Sequence, residues 1–214
     1  MSNVLRVLWT IASQIAPQPW LNCNRCGAAR PFRSSDKFRM NANGKRLDAW
    51  LIYNCVGCGN SWNRAIFERR NLRDVDPLTL HALQTNAPDL ARRLAFDVED
   101  LRGSSERVEE FAAVRTEKRV LSQGVSPIVR MEIVIVAPQS SGLRVDRLLA
   151  AEFAVSRARI HALEAGGRLT LSPFGTRMLR RPIKDRMHIG IEISAAEHDL
   201  DFRKASGCAE SKSC

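Results

Sequence analysis

Apolar and polar positions change period along this chain, and the change predicts its elements. Met187, Ile189, Ile191 and Ile193 alternate with His188, Gly190 and Glu192, the pattern of a half-buried strand. Residues 131–137 (Met-Glu-Ile-Val-Ile-Val-Ala) read as a buried strand by composition and length. Between these two strands the period becomes helical. Val145, Leu148, Leu149 and Phe153 form one stripe, with Arg144 and Arg147 away from it. Ser156 then caps a second helix over 157–165 that turns Ile160 and Leu163 inward, and Gly166-Gly167 stops it. Residues 168–172 make a short strand. The C-terminal order is therefore strand, helix, helix, strand, basic loop, strand.

The N-terminal half has a different pattern. Residues 4–13 are β-branched and apolar and predict a strand leading into a hairpin region. Residues 38–40 and 46–53 flank Asn43-Gly44, the signal of a type I′ hairpin turn. Residues 63–70 are expected to continue as a helix. Asp76-Pro77 starts another helix, as N-cap and first helical position, and it runs to Asn86. Pro88 begins a further one with Leu90, Leu94 and Phe96 on its buried side. Gly103-Ser104-Ser105 is a break, and a charged helix is expected over 106–120. Residues 194–214 look like a disordered tail, with Cys208 and Cys214 as free thiols.

Chemistry enters with the cysteines. Cys23-Asn24-Arg25-Cys26-Gly27 and Cys55-Val56-Gly57-Cys58-Gly59 are two C-x-x-C-G knuckles on either side of the predicted hairpin. Two close thiolate pairs suit a tetrahedral Zn²⁺, and a glycine after each pair tolerates the turn. The metal ligands are expected to be Cys23, Cys26, Cys55 and Cys58, holding one structural zinc in a ribbon. Disulfides are disfavoured because nothing marks the chain for secretion. A redox pair fits two bracketing knuckles less well than a metal does. Four cysteines also fill every position that a catalytic zinc would leave open. The expected location is the cytoplasm, with no membrane span.

Charge sharpens the picture. The 214 residues carry a formal charge of +10, unevenly spread. Residues 1–70 hold 11 basic and 3 acidic side chains, residues 71–124 hold 8 and 10, and residues 125–190 hold 11 and 5. Two basic regions flanking an acidic middle are the electrostatic footprint of a polyanion partner. In the first region Arg25, Arg30, Arg33, Lys37, Arg39, Lys45 and Arg46 sit among Phe32, Phe38, Trp50 and Trp62. Such interleaving can grip phosphates and stack on bases, although Trp50 and Phe38 read better as core. Asp97, Glu99 and Asp100 read as a solvated helix end.

Arg144-x-Asp146-Arg147-Leu148-Leu149, then Ser156-Arg157-x-Arg159, then Gly167-Arg168-Leu169-x-Leu171 together carry a resemblance. Over 143–193 the chain looks like the αL RNA-binding domain of ribosomal protein S-four, of many pseudouridine synthases and of bacterial tyrosyl-tRNA synthetases. The resemblance implies a small fold that binds structured RNA, ribosomal or transfer, through its helix starts and the adjoining loop. It puts Arg144, Arg147, Ser156, Arg157, Arg159 and Arg168 in that surface. The loop adds Arg177, Arg180, Arg181 and Lys184. The sequence departs from the domain at residues 171–175, where a Val-Asn-Gly turn is usual, and at residues 184–187, where Lys-x-Gly-Asp is usual. The ribbon-first, αL-last arrangement also resembles an uncharacterised bacterial family of unknown function.

The expected fold class is thus α+β: a β-rich zinc ribbon over 1–70, a helical middle over 71–124, an αL-like α/β RNA-binding module over 125–193, and the tail. The expected function is non-enzymatic binding of structured RNA. A DNA-binding regulator and a protein-interaction adaptor built on the ribbon are the alternatives. An enzyme is disfavoured because the chain offers no paired-carboxylate motif, nucleophile elbow, phosphate loop or open metal site.

Overall fold

The computed structural model describes residues 3–122, 127–193 and 200–207. The fold is mixed α and β. The chain begins with β1 (Val4–Ser13), followed by β2 (Gln18–Cys23), β3 (Ala28–Asn43), β4 (Arg46–Cys55) and β5 (Ser61–Asn71). Three short helices come next, α1 (Pro77–Gln84), α2 (Pro88–Ala95) and α3 (Val98–Ser104), and then β6 (Arg107–Glu109). The remainder is β7 (Val114–Ser122), β8 (Arg130–Val136), α4 (Val145–Glu152), α5 (Arg157–Ala165), β9 (Leu169–Ser172), β10 (His188–Glu192) and α6 (Phe202–Ser206). The chain folds as two units. Ala16–Phe111 is continuous; Met1–Ile15 joins Ala112–Cys214 to make the other.

The discontinuous unit is built on a sheet of order β7-β1-β8-β10-β9. β1 lies parallel to β8, and the other pairs are antiparallel. The alternation in β1 buries Leu5, Val7, Trp9 and Ile11, which join Met131, Ile133, Ile135, Ile189 and Ile191 on one face. The predicted helical stripe, Val145, Leu148, Leu149 and Phe153, lies against them with Ile160 and Leu163 of α5. Removing this apolar surface from water, at about 25 cal/mol per Å², is what holds the unit together. The Trp9 indole is fully buried, and its Nε1 donates to the Ala205 carbonyl of α6 at 2.8 Å. Phe153 stands between the rings of Trp9 and Phe202 at 6.0 and 5.6 Å.

The continuous unit has a sheet of order β5-β4-β3-β2-β6, antiparallel throughout. β4 turns Leu47, Ala49, Leu51 and Tyr53 to one face, where α2 and α3 supply Leu90, Ala91, Ala95 and Leu101. α1 starts as expected, with the Asp76 carboxylate accepting from the Thr79 N–H and Pro77 at its first turn. Arg64 of β5 is buried. Its guanidinium donates to Asp100 Oδ2, the Leu94 carbonyl and the Tyr53 hydroxyl at 2.6, 2.6 and 3.3 Å, tying the sheet to α2 and α3.

Five expectations are corrected. β1 is a strand, but its partners are β7 and β8 rather than a ribbon strand, because its apolar alternation completes the larger core. Residues 63–70 are strand β5, not helix, since β4 offers them a full antiparallel partner. The charged stretch 106–120 forms β6 and β7, not a helix. β7 covers the open edge of β1, pairing Lys118 with Trp9 and Thr116 with Ile11. Charge there keeps an edge strand soluble, and it imitates a solvated helix. The tail is not wholly without structure. Leu200, Ala205 and Ser206 are buried and α6 forms, while residues 194–199 and 208–214, with Cys208 and Cys214, lie outside the described residues. The β3–β4 turn also differs in type. Asn43 pairs with Arg46, and of the two loop residues only Gly44 has positive φ (+59°), whereas a type I′ turn needs both. Among the described residues no helix is long and apolar enough to cross a membrane.

Candidate functional site

Cys23 ends β2 and Cys55 ends β4, so the ends of two strands in one sheet deliver the two knuckles. Each chain then folds back on its first cysteine. Gly27 N donates to the Cys23 carbonyl at 2.8 Å with φ +66°, and Gly59 N donates to the Cys55 carbonyl at 2.9 Å with φ +74°. A side chain at either glycine would strain that turn. The second knuckle is held to β3, where Val56 N donates to the Pro31 carbonyl at 3.0 Å, and to the first knuckle, whose Arg25 guanidinium reaches the Cys58 carbonyl at 3.4 Å.

The four Sγ atoms lie within 4.8 Å of one another. Cys23 and Cys58 are 3.5 Å apart and Cys26 and Cys55 are 3.9 Å apart, and all four are free thiols. A tetrahedral site with Zn–S bonds of about 2.3 Å has ligand–ligand edges of about 3.8 Å. The arrangement therefore fits a metal ion with four thiolates and is far too wide for a disulfide, whose S–S bond is about 2.05 Å. Burial disfavours the Cys23 thiolate. Donation from the Cys26 and Arg25 N–H groups and from the Cys58 and Cys55 thiols outweighs it and lowers Cys23 to about 6. Cys26, hydrogen-bonded to Cys58, partly desolvated, and close to the Cys23 charge, is pushed up to about 12. A cation among them would favour the thiolate form of all four.

Of the aromatics read alongside the basic residues, Phe32 is buried and Phe38 half-buried in this unit's core. Trp62 packs on Tyr53 at 5.3 Å, and Trp50 Nε1 donates to Glu68 at 3.1 Å. Trp20 donates to Glu109 at 3.1 Å, beneath the Arg107 guanidinium. Arg25, Arg30, Arg33, Lys37, Arg39, Lys45 and Arg46 are all exposed. Asp97 caps α3 by accepting from the Asp100 N–H, and Asp100 pairs with Arg64, so this acidic group is structural.

The second candidate surface lies at the starts of α4 and α5. Asp146 is wholly buried, and its Oδ2 accepts from the Arg144 guanidinium at 2.7 Å and the Arg157 guanidinium at 3.1 Å, with His161 Nε2 at 3.3 Å. Burial disfavours the carboxylate. The His161 hydrogen bond and the Arg144 and Arg157 charges outweigh that and hold Asp146 below the usual carboxylate range. Ser156 caps α5 by accepting from the Arg159 N–H, so its hydroxyl is occupied by the helix. Arg168 donates to the Glu192 carbonyl at 3.1 Å, at the far end of β9. The basic loop is pinned beside α4: Val145 N donates to the Arg181 carbonyl, Ile183 N donates to the Leu143 carbonyl, and Arg144 bridges Pro182. Arg177, Arg180 and Arg181 are exposed there, as is Arg147 on α4, and Lys184 is exposed further along the loop.

The sequence did not single out His161 as part of this cluster. The signal was present, since Arg157 and His161 are four apart and face the same way on a helix. Arg64 was missed for a different reason: its segment reads as a helix.

One family model, described as a protein of unknown function (DUF1062), matches residues 40–173. The matched stretch holds the second knuckle, α4 and α5, and leaves out the first knuckle and β1. No curated protein and no solved structure matches the chain.

Proposed function

We propose, for a chain that belongs to the DUF1062 family of unknown function, that the protein is a zinc-stabilised, non-enzymatic RNA-binding protein of the cytoplasm. One observation carries the reading: the arginine loop is fastened by its main chain to the start of α4. Cations from three sequence-distant segments, 144–147, 157–161 and 177–181, thereby come to one end of the unit. The αL-like order of elements supports it. Folded RNA is recognised mainly by shape and by contacts to phosphate and 2′-hydroxyl groups, which suits a rigid arginine surface. Asp146 holds two of these guanidiniums in fixed places, and a planar guanidinium can still present a second pair of donors to a phosphate.

In this reading the ion held by Cys23, Cys26, Cys55 and Cys58 is Zn²⁺, and its role is structural. Four thiolates complete its tetrahedron and leave no position for water or substrate. When bound, the ion cross-links the two knuckles. The chain's own residues set the turns and the strand ends.

The test compares binding of transfer RNA, a ribosomal RNA fragment and duplex DNA of matched length, at several salt concentrations. Folded RNA is expected to compete best, with affinity falling steeply as salt rises through counterion release. Arg180→Glu combined with Arg181→Glu is expected to weaken every folded RNA by at least about tenfold, and two lost phosphate contacts flatten the salt slope by about 2. Salt-independent binding, or preference for duplex DNA, would overturn the reading.

A further inference from the structure

The cysteine cluster is not equally closed on every side. Cys23 and Cys55 are buried, whereas Cys26 and Cys58, one from each knuckle, are half-buried. Each accessible sulfur has a buried sulfur of the other knuckle beside it. Cys26 Sγ lies 3.9 Å from Cys55 Sγ, and Cys58 Sγ lies 3.5 Å from Cys23 Sγ. Gly57 adds an opening at the first of these pairs. It is exposed, and a Cβ built on it would stand 3.6 Å from Cys26 Sγ and 3.9 Å from Cys55 Sγ. Apart from its chain neighbours, nothing else comes within 4 Å of that point. Unlike Gly27 and Gly59, Gly57 does not have positive φ, so its turn does not call for a glycine. The bare position leaves two sulfurs uncovered.

An accessible thiolate with a second thiolate beside it is the setting in which a peroxide drives disulfide formation. Zn²⁺ has no redox chemistry of its own, so the electrons come from sulfur. The Cys26 thiolate attacks one peroxide oxygen and the O–O bond breaks. The departing hydroxide takes a proton and leaves as water, and Cys26 becomes a sulfenic acid. The Cys55 thiolate then attacks the Cys26 sulfur. The S–S bond forms, the S–O bond breaks, and the second hydroxide also leaves as water with a solvent proton. Cys58 and Cys23 take a second peroxide through the same two steps. Each sulfur pair gives up two electrons and each peroxide accepts two. No thiolate then remains to hold the ion.

We infer that the cluster is a peroxide-reactive site: Cys26 is oxidised through the Gly57 opening and resolved by Cys55, Cys58 is resolved by Cys23, and the ion is released. The inference rests on the metal reading above. Both disulfides join one knuckle to the other, so they replace the cross-link that the ion supplies. Separations of 3.5 and 3.9 Å must close to about 2.05 Å, a shift on the order of 2 Å or less. Pairs within a knuckle would leave the ends of β2 and β4 without a cross-link. The oxidised unit therefore keeps its fold where the chelated unit loses it.

The experiment treats the full-length, zinc-loaded protein with hydrogen peroxide. Zinc release is followed with a chromophoric chelator too weak to strip untreated protein. Disulfides are mapped by mass spectrometry after alkylation, which separates the four ligands from Cys208 and Cys214. Zinc and thiols are expected to be lost together, at about two peroxides per ion, with Cys26 joined to Cys55 and Cys23 to Cys58. Amide protection in β3 and β4 should persist, and a thiol reductant with added zinc should restore the starting state. Gly57→Ala meets both sulfurs at ordinary contact distance, so it is expected to bind zinc as before and to release it about threefold or more slowly. Zinc and thiols unchanged in excess peroxide, disulfides within each knuckle, or Gly57→Ala oxidised at the wild-type rate would each overturn the inference. Metal content is read before peroxide is added. A chain without zinc would sink the metal reading, while the disulfide map and the Gly57→Ala rate would still judge the sulfur chemistry.

Discussion

The two units of this chain solve the same problem by different means. In the discontinuous unit one continuous apolar core runs from β1 through β8 and β10 to α4, α5 and α6. In the continuous unit the buried side chains fall into two smaller clusters, and two of the members are Cys23 and Cys55. Small domains bury too little apolar surface to offset chain entropy with a wide margin, and a metal cross-link is a common remedy. On the proposed reading, the cysteine unit depends on a metal held by its thiolates where the other depends on its side-chain packing.

Breaking the metal set is the sharpest way to separate the two. Cys23→Ser, or removal of the ion by a chelator, is expected to unfold the cysteine unit, because structural zinc supplies about 10 kcal/mol in small domains. Amide exchange protection should collapse in β3 and β4 and persist in β8 and β10. Equal loss in both units would show that they fold as one, and unchanged melting with no bound metal would refute the metal centre.

The reciprocal break is in the apolar core. Phe153 is fully buried between Trp9 and Phe202. Phe153→Ala is expected to cost about 3–5 kcal/mol, as transfer plus cavity free energy. Denaturant unfolding should show the loss in the discontinuous unit, with one metal per chain retained. Metal loss in this variant would contradict the division of labour.

The contrast also explains what could be read from sequence. Spacing alone brought Cys23, Cys26, Cys55 and Cys58 together, because metal chemistry leaves few arrangements for such a motif. Periodicity found α4, α5, β8 and β10, because each buries one face of a regular element. What failed was long-range pairing. Whether residues 114–122 are strand or helix is decided by the open edge of β1, some hundred residues earlier, and no local pattern reports that partner. The same is true of β1, whose composition gives a strand but not its sheet. In the basic surface the arginines themselves were legible, but the buried Asp146 that organises two of them depends on α4 and α5 meeting.

That knot supplies a smaller test. Asp146→Asn is expected to cost about 1.5–3 kcal/mol, the usual worth of hydrogen bonds to a charged group. The pH dependence has a fixed sign. Asp146 has a folded pKa below its unfolded value near 4, so its contribution is fully present above that value and is lost as pH falls through the lower, folded one. Urea midpoints of wild type and variant should therefore differ at pH 7 and converge in acid. A gap that widened as pH fell would contradict the assignment.

The smallest expected effect lies at Ser156, and it decides between two roles for one residue. The αL resemblance puts Ser156 in the RNA surface, whereas its hydroxyl accepts from the Arg159 N–H at 3.2 Å as the cap of α5. A capping hydroxyl is worth about 1 kcal/mol, and aspartate caps about as well as serine. Ser156→Ala is thus expected to lower stability by about 1 kcal/mol, and Ser156→Asp to restore it. RNA affinity separates the roles, because an added carboxylate repels phosphate while leaving the cap intact. If Ser156→Asp keeps stability and loses RNA, the residue stands in the interface as well as at the helix start. If it keeps both, Ser156 is a cap alone, and the cationic face begins with the arginines on either side of it.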